Sequence, residues 1–341
     1  MLASRKEEHL RICLEEDVRP QGLTTGLERY RFVHQALPEL DMERIDLRTE
    51  FLGKELRAPL IISSMTGGTP SAEAVNRRLA EAAQVLGVGM CVGSQRAALE
   101  EPRWASTYQV REQAPDVLLL ANLGAVQLNE SYTVEHCQKA VEMIGADALV
   151  LHLNPLQEAV QPGGDTCFSG LLHKIEAVCR SLPVPVIVKE VGYGLSGGVA
   201  RVLIEAGVSA LDTAGAGGTS WSEVERRRTT DPGRGQVAAQ FSDWGIPTTE
   251  SILRVREAVP EVPLIASGGL ETGIDVAKCI ALGANLAALA WPLLRASLRS
   301  SQAVIDTLEP IIQVLRVAMF CIGAPNVAAL QGTAHLEESR L

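Results

Sequence analysis

The sequence predicts a single (β/α)8 barrel, and three observations predict it. Eight short apolar runs follow one another along the chain. Segments with helical periodicity lie between them. The runs end in Gly, Ser, Asn or a polar cluster, with an SGG phrase on the seventh.

The runs are PLIISSM (59–65), VGMCVG (88–93), VLLLANLG (117–124), ALVLHLN (148–154), PVIVKEVG (185–192), ALDTAG (210–215), PLIASGG (263–269) and LAALAW (286–291). Continuous apolar runs of this length read as strands buried on both faces. AEAVNRRLAEAAQVLG precedes the second run, TVEHCQKAVEMIGA the fourth and GVARVLIEAG the sixth, while GIDVAKCIALGA joins the seventh to the eighth. Gly87, Gly145, Gly207 and Gly283 stand where these helices give way to strands, which is helix C-cap chemistry. The early spacing of about 30 residues is that of a βαβ unit. A doubly wound open sheet has the same alternation, but no G-x-G-x-x-G follows the first strand.

We read 1–341 as one domain, with an N-terminal helix and loop region (1–58), the barrel (59–300) and C-terminal helices (301–341). The sixth and seventh runs are separated by GAGGTSWSEVERRRTTDPGRGQVAAQFSDWGIPT and a helical segment. We read the whole GAGGTSW…GIPT stretch, with residues 222–243 in its middle, as a long βα loop after strand 6 and a candidate lid.

Composition narrows the class. Hydrophobic residues make up 46% and aromatics only 4%, so the core is aliphatic, which suits layered barrel packing. The net charge of -10 argues against nucleic-acid binding, which needs a basic face. The opening MLASRKEEHLRICLEEDVRP lacks an apolar core of the signal-peptide kind, and no run approaches the ~20 residues of a membrane span. Seven scattered cysteines without a CxxC suit a reducing cytoplasm.

Function in such a barrel sits at the strand C-termini. There the sequence places Ser63 to Gly68, Gly93 to Arg96, Asn122, His152, Asn154, Gln157, Glu158, Lys189, Gly215 to Ser220, Ser267 to Gly269, Ala290 and Trp291. The SGG phrase and the small residue ending strand 8 match the recurrent barrel phosphate site. Lys189 interrupts an apolar strand and faces inward with Ile187. A buried ammonium needs an anion, either a flavin ring with negative charge or a core carboxylate. No His/Cys cluster suggests zinc, whereas Glu158 alone could hold Mg2+ together with a ligand diphosphate. Arg5, Lys6 and Arg96 are further anion contacts.

SRKEEH, MTGG, GSQR, ANLG, HLNPLQE, VKEVG, AGAGGTSW and ASGGL occur in that order. Together they resemble type 2 isopentenyl diphosphate isomerases, from about Arg5 to Pro325. The resemblance implies an FMN-dependent TIM-barrel enzyme that interconverts isopentenyl and dimethylallyl diphosphate. It implies reduced FMN, NADPH as the source of electrons, and Mg2+. FMN would be lined by Met65, Thr66, Gly67, Ser94, Asn122, Lys189, Thr219, Gly268, Gly269, Ala290 and Trp291. Substrate would meet Arg5, Lys6, Ser94, Gln95, Arg96, His152, Asn154 and Gln157, with Glu158 on the metal. The catalytic set would be Gln157, His152, Glu225 and Lys189. A cytoplasmic homo-oligomer, tetramer or octamer, is also implied, with the Arg5–Lys6 segment near a subunit boundary.

One departure stands out. Many members read SGGLR where this chain reads SGGLE, so Glu271 cannot donate to the FMN phosphate. The chemistry also asks for more than side chains. An unactivated alkene must gain a proton at one end and lose one two carbons away. That points to flavin N5, assisted by Gln157 or Glu225. The rival readings are an FMN-dependent hydroxy-acid oxidase and a non-catalytic phospho-ligand barrel. The first uses a late-barrel His, and none lies between His173 and His335.

Overall fold

A computed structural model describes residues 2–339. At its centre eight parallel strands close into a barrel. They are β1 (Leu60–Ile62), β2 (Gly89–Cys91), β3 (Leu119–Gly124), β4 (Ala148–His152), β5 (Val186–Lys189), β6 (Ala210–Asp212), β7 (Leu264–Ser267) and β8 (Leu286–Leu289). Each of the eight apolar runs supplies one strand. β8 pairs with β1 through Ala288 and Ile61, which closes the ring.

Helices cover the outside. Pro70–Leu86 follows β1, Val134–Ile144 follows β3, Leu171–Ser181 follows β4 and Gly197–Glu205 follows β5. Thr248–Ala258, Gly273–Ala281 and Ser301–Cys321 follow β6, β7 and β8. After β2 there are only Arg96–Glu100 and a 3-10 segment, Pro102–Thr107. Pro70–Leu86 shows why such segments are helical. Thr69 caps it by accepting from the Ala72 N–H, Pro70 sits in the first turn, and Gly87 ends it at φ 66. Its buried Ala72, Val75, Leu79, Ala82 and Ala83 recur at three- and four-residue steps against the barrel.

Strand alternation fills the barrel in layers. Ile61, Cys91, Leu120, Val150, Ile187, Ala210, Ile265 and Ala288 belong to one buried interior cluster. Two residues further along each strand, on the same inward phase, stand Ser63, Gly93, Asn122, His152, Lys189, Asp212, Ser267 and Ala290. The layer at the strand C-termini is therefore mostly polar above an apolar plug. Register brings its members side by side, since His152 pairs with Lys189 and Lys189 with Asp212.

The flanks hold more structure than the sequence reading assigned them. A hairpin, Thr49–Phe51 with Lys54–Leu56, closes the opposite end of the barrel and joins the interior cluster through Phe51 and Leu56. The C-terminal region is not only helical, because Leu336–Glu338 pairs antiparallel with Tyr30–Phe32. The stretch after β6 is not an open loop either. It contains the helices Trp221–Arg228 and Pro232–Ala239, the first of which buries Ser222, Glu223, Val224 and Glu225. Its short arginine-rich sequence concealed the helix because its partner is remote. That partner is α1 (Leu2–Glu15), whose Ile12 packs on Val224 together with Val18. Among the described residues no helix is long and apolar enough to cross a membrane.

The hairpin plug makes a stability prediction. Phe51 is 3% exposed and meets the barrel interior. Phe51→Ala should lower the unfolding free energy by about 3–5 kcal/mol, read from urea unfolding. A loss under about 1 kcal/mol would show that the hairpin is not part of the core.

Candidate functional site

The polar layer forms the floor of one cavity of about 590 Å³, a size usual for small-ligand sites. α1 roofs it. The helix lies across the mouth of its own barrel, so the structure places Arg5 and Lys6 over the cavity within a single chain. Three anchors hold the roof. Lys6 Nζ donates to the Ser94 carbonyl at 2.8 Å and to Tyr108 Oη at 2.7 Å. His9 Nε2 lies 2.8 Å from Glu225 Oε1 and its ring meets Trp221 edge-on at 5.3 Å. Trp291 Nε1 and Arg295 donate to the carbonyls of Cys13 and Leu14, at the helix C-terminus where backbone acceptors lack partners.

The floor carries an ion pair. Lys189 Nζ lies 3.6 Å from Asp212 Oδ2. Asp212 Oδ1 accepts from Ser267 Oγ at 2.5 Å and from the Ala214 N–H at 3.2 Å. Of the two anions open to Lys189 in the sequence, the structure contains the core carboxylate, while Lys189 still lines the cavity. Glu190, on the opposite face as alternation requires, accepts from the backbone N–H groups of Val191, Gly192 and Tyr193.

His152 Nδ1 lies 2.9 Å from Asn122 Oδ1. Desolvation lowers its pKa from 6.5 to about 3, helped by the charges of Lys189 and Lys6. The ring is therefore neutral, with its proton on Nδ1 donated to Asn122. Lys6 is also lowered, to about 7, chiefly by burial and then by the nearby Arg5. An arriving anion would favour its charged form.

On the β4 side, Asn154 Nδ2 donates to Gln157 Oε1 at 3.1 Å and to Glu158 Oε1 at 2.9 Å. Glu158 also accepts from the Asp165 N–H at 2.8 Å and from Gln161. Asn154 Oδ1 is buried without a hydrogen-bond partner. An uncommitted buried acceptor beside a carboxylate is a hard-oxygen setting that suits Mg2+ and its waters. No group of three or more metal-binding side chains occurs among the described residues. Any ion there must draw most of its shell from ligand and water.

On the β6–β8 side glycines approach one another closely. A Cβ on Gly218 would lie 2.5 Å from Gly269 N, and one on Gly268 would lie 2.0 Å from Gly215 O. Only glycine lets these backbones meet, leaving N–H groups beside the cavity in the manner of a phosphate cradle. The cavity and this cradle fit a flavin nucleotide.

Most of the residues singled out from sequence converge on this cavity. Arg5, Lys6, Met65, Thr66, Ser94, Arg96, Asn122, His152, Asn154, Gln157, Glu158, Lys189, Thr219, Gly268, Gly269, Ala290 and Trp291 line it. Three do not. Gln95 is fully buried, donates to the Ala140 carbonyl and accepts from the Asn122 N–H, so its side chain ties the helix Val134–Ile144 to β3 and does not line the cavity. Gly67 faces the Tyr108 ring, 2.0 Å from where its Cβ would stand. Glu225 lies behind the wall, 1% exposed, between His9 and Arg228. Burial pushes its carboxyl up, but these two partners hold it below the usual range. It reaches the cavity through His9, which sequence reasoning passed over. His9 is one helical turn beyond Arg5, and that spacing was the available signal. Asp212, Tyr108 and Arg19 were also missed. Each looks ordinary in sequence and gains its meaning from a remote partner.

His152 predicts a pH dependence. Below about pH 6.5 the unfolded chain protonates this imidazole while the native state resists until about pH 3. The unfolded state then binds more protons, so stability falls as pH falls through that window. His152→Gln should make urea-unfolding stability less steep there, by at most about 1.4 kcal/mol per pH unit. Parallel curves for the two proteins would refute a neutral His152.

Comparison with known proteins agrees with this geometry. The family model for FMN-dependent dehydrogenases matches residues 7–153 and 168–337. The isopentenyl-diphosphate delta-isomerase of Nostoc sp. is 54% identical over 334 residues, covering 98% of this chain and 95% of that one. That of Stutzerimonas stutzeri is 52% identical over 339 residues, covering 99% and 98%. A flavocytochrome b2 mutant with pyruvate bound superposes with a TM-score of 0.71 at 18% identity, covering 97% of this chain and 83% of that one. An (S)-mandelate dehydrogenase superposes with a TM-score of 0.69 at 16% identity, covering 99% and 98%. At such identities these two structures speak for the fold alone. Matched by that model over nearly its whole length and identical to such relatives at about half its positions, the chain belongs to the FMN-dependent isopentenyl-diphosphate delta-isomerase family.

Proposed function

We propose that this chain interconverts isopentenyl and dimethylallyl diphosphate, with reduced FMN, Mg2+ and NADPH as the source of electrons. One observation supports this above the rest: a single cavity has two anion-binding ends. The glycine cradle of β6 to β8 suits the flavin phosphate. Arg5, Lys6 and Arg96 face Glu158 and Asn154 at the other end, which suits a diphosphate with its metal. Trp221 and Met65, which also line the cavity, offer apolar contact to the body of an isoprenoid. A cytoplasmic homo-oligomer, tetramer or octamer, belongs to the same reading.

The residues divide the work. Reduced FMN, when bound, supplies an acid–base nitrogen to an alkene that no side chain here could deprotonate unaided. Lys189 stabilises negative charge on the ring, and Asp212 and Ser267 keep its ammonium in place. Glu158 holds Mg2+, and Arg5, Lys6 and Arg96 hold the diphosphate. His152, tied to Asn122, hydrogen-bonds and orients at the substrate. Gln157 and the His9–Glu225 pair assist at the substrate. Glu225 acts through His9, since it does not line the cavity itself. α1 covers the site and keeps water from the reacting carbons.

The deciding experiment is an anaerobic assay of the purified full-length protein with isopentenyl diphosphate, FMN, NADPH and Mg2+. Dimethylallyl diphosphate should appear, and chelation with EDTA or omission of the reductant should abolish it. Reconstitution with 5-deazaFMN should leave the protein nearly inactive. Flavin reduction by lactate or glycolate without isomerisation would instead establish the oxidase reading. Absence of both activities would favour a binding barrel.

The His9–Glu225 contact makes a second prediction. His9→Gln and Glu225→Gln should each lower kcat by on the order of 10²-fold, and the double variant should lose little more than either alone. Additive losses would show that the two act separately.

A further inference from the structure

The cradle of β6 to β8 carries an unexpected carboxylate. Glu271 follows the Gly268–Gly269 pair and lines the cavity with it. The helix that begins two residues later, Gly273–Ala281, offers little to offset that charge. Its own Asp275 carboxylate takes the N–H groups of Glu271 and Thr272, at 3.1 and 2.8 Å. Positive charge beside the glycines must come from elsewhere.

It comes from the N-terminal segment. Arg19 Nη2 lies 3.0 Å from Glu271 Oε1, and its guanidinium stacks 5.0 Å over the Trp291 ring. Arg295 lies 5.9 Å over the same ring. All four residues line the cavity. Two guanidiniums therefore stand at this end beside the Glu271 carboxylate, with Asp17 bonded to the Arg19 backbone.

The placement of Arg19 is built. The Arg19 N–H bonds Asp17 Oδ1 at 3.1 Å. The N–H groups of Gln21 and Gly22 bond Asp243 Oδ1 at 2.8 and 2.9 Å. The Thr25 carbonyl accepts from the Thr249 N–H at 3.0 Å. Thr25 packs so closely on the cradle that a Cβ on Gly217 would lie 2.2 Å from its nitrogen, and one on Gly269 2.5 Å from its Cγ2. The chain that carries Arg19 is thus wedged against the phosphate glycines. Arg19 and Glu271 are half exposed, and an ion pair at such exposure adds little to stability. A guanidinium has five N–H donors, and Glu271 engages only part of them.

We propose that Arg19 is the side-chain cation for the terminal phosphate of the flavin nucleotide, so that the segment following α1 forms part of the cofactor site. Glu271 holds this guanidinium at the cavity lip. The inference rests on the flavin-nucleotide reading of the cavity and goes beyond it by assigning the phosphate contact.

The test compares FMN with riboflavin, which lacks the phosphate. Full-length protein stripped of flavin is titrated with each, following flavin fluorescence, for wild type, Arg19→Gln, Arg19→Lys and Arg19→Gln combined with Glu271→Arg. Wild type should prefer FMN. Arg19→Gln should weaken FMN by about ten- to hundredfold and leave riboflavin within about twofold. Arg19→Lys should retain most of the preference. The double variant should regain it, by supplying the cation from the other side of the pair. An unchanged FMN-to-riboflavin ratio in Arg19→Gln, whether both affinities hold or both fall, would overturn the assignment. No preference in the wild type would instead remove the flavin-nucleotide reading beneath it.

Discussion

Closure of the parallel barrel is the constraint on which everything else depends. A closed ring leaves no strand edge and forces every second side chain into a shared interior. That interior must be filled. The lower layers are filled with Leu, Ile, Val, Ala and Cys. The same inward phase, continued two residues further, carries Asn122, His152, Lys189, Asp212 and Ser267 to the mouth. Fold and site are one strand period read at two heights.

The electrostatics follow from that geometry. Lys189 and Asp212 meet because neighbouring strands are in register, and both are buried there. Such a pair contributes little net stability, since desolvation of both charges offsets their attraction. Its use is local: it fixes an ammonium under the cavity, and that charge adds to the burial that lowers the pKa of His152.

The roof is a separate device. α1 contributes no strand and little to the main core, yet it carries Arg5, Lys6 and His9 to the cavity. It is held by the Ser94 carbonyl and Tyr108 after β2, by Glu225 on the helix that follows β6, and by Trp291 and Arg295 after β8. A roof of this kind lowers the exposure of the cavity and strengthens the charge interactions within it. It also explains why Trp221–Arg228 is helical, with one face against α1 and the other toward its own barrel.

The eight strands, their order and most of the cavity lining were legible in the sequence. Apolar runs buried on both faces are unmistakable, and alternation dictates which residue at each run's end points inward. The eight motifs likewise carried the family. What only the tertiary structure decided were the contacts between segments distant in the chain. Lys189 took Asp212 as its anion, Gln95 turned into the wall, and Glu225 withdrew behind His9. The arginine-rich stretch after β6 became a helix only against α1, and Arg19 met Glu271 across the cavity mouth. Local pattern records whether a residue will be buried. Partners are set by how the closed barrel brings the ends of its strands and its N-terminal helix together, and no periodicity in the chain encodes that.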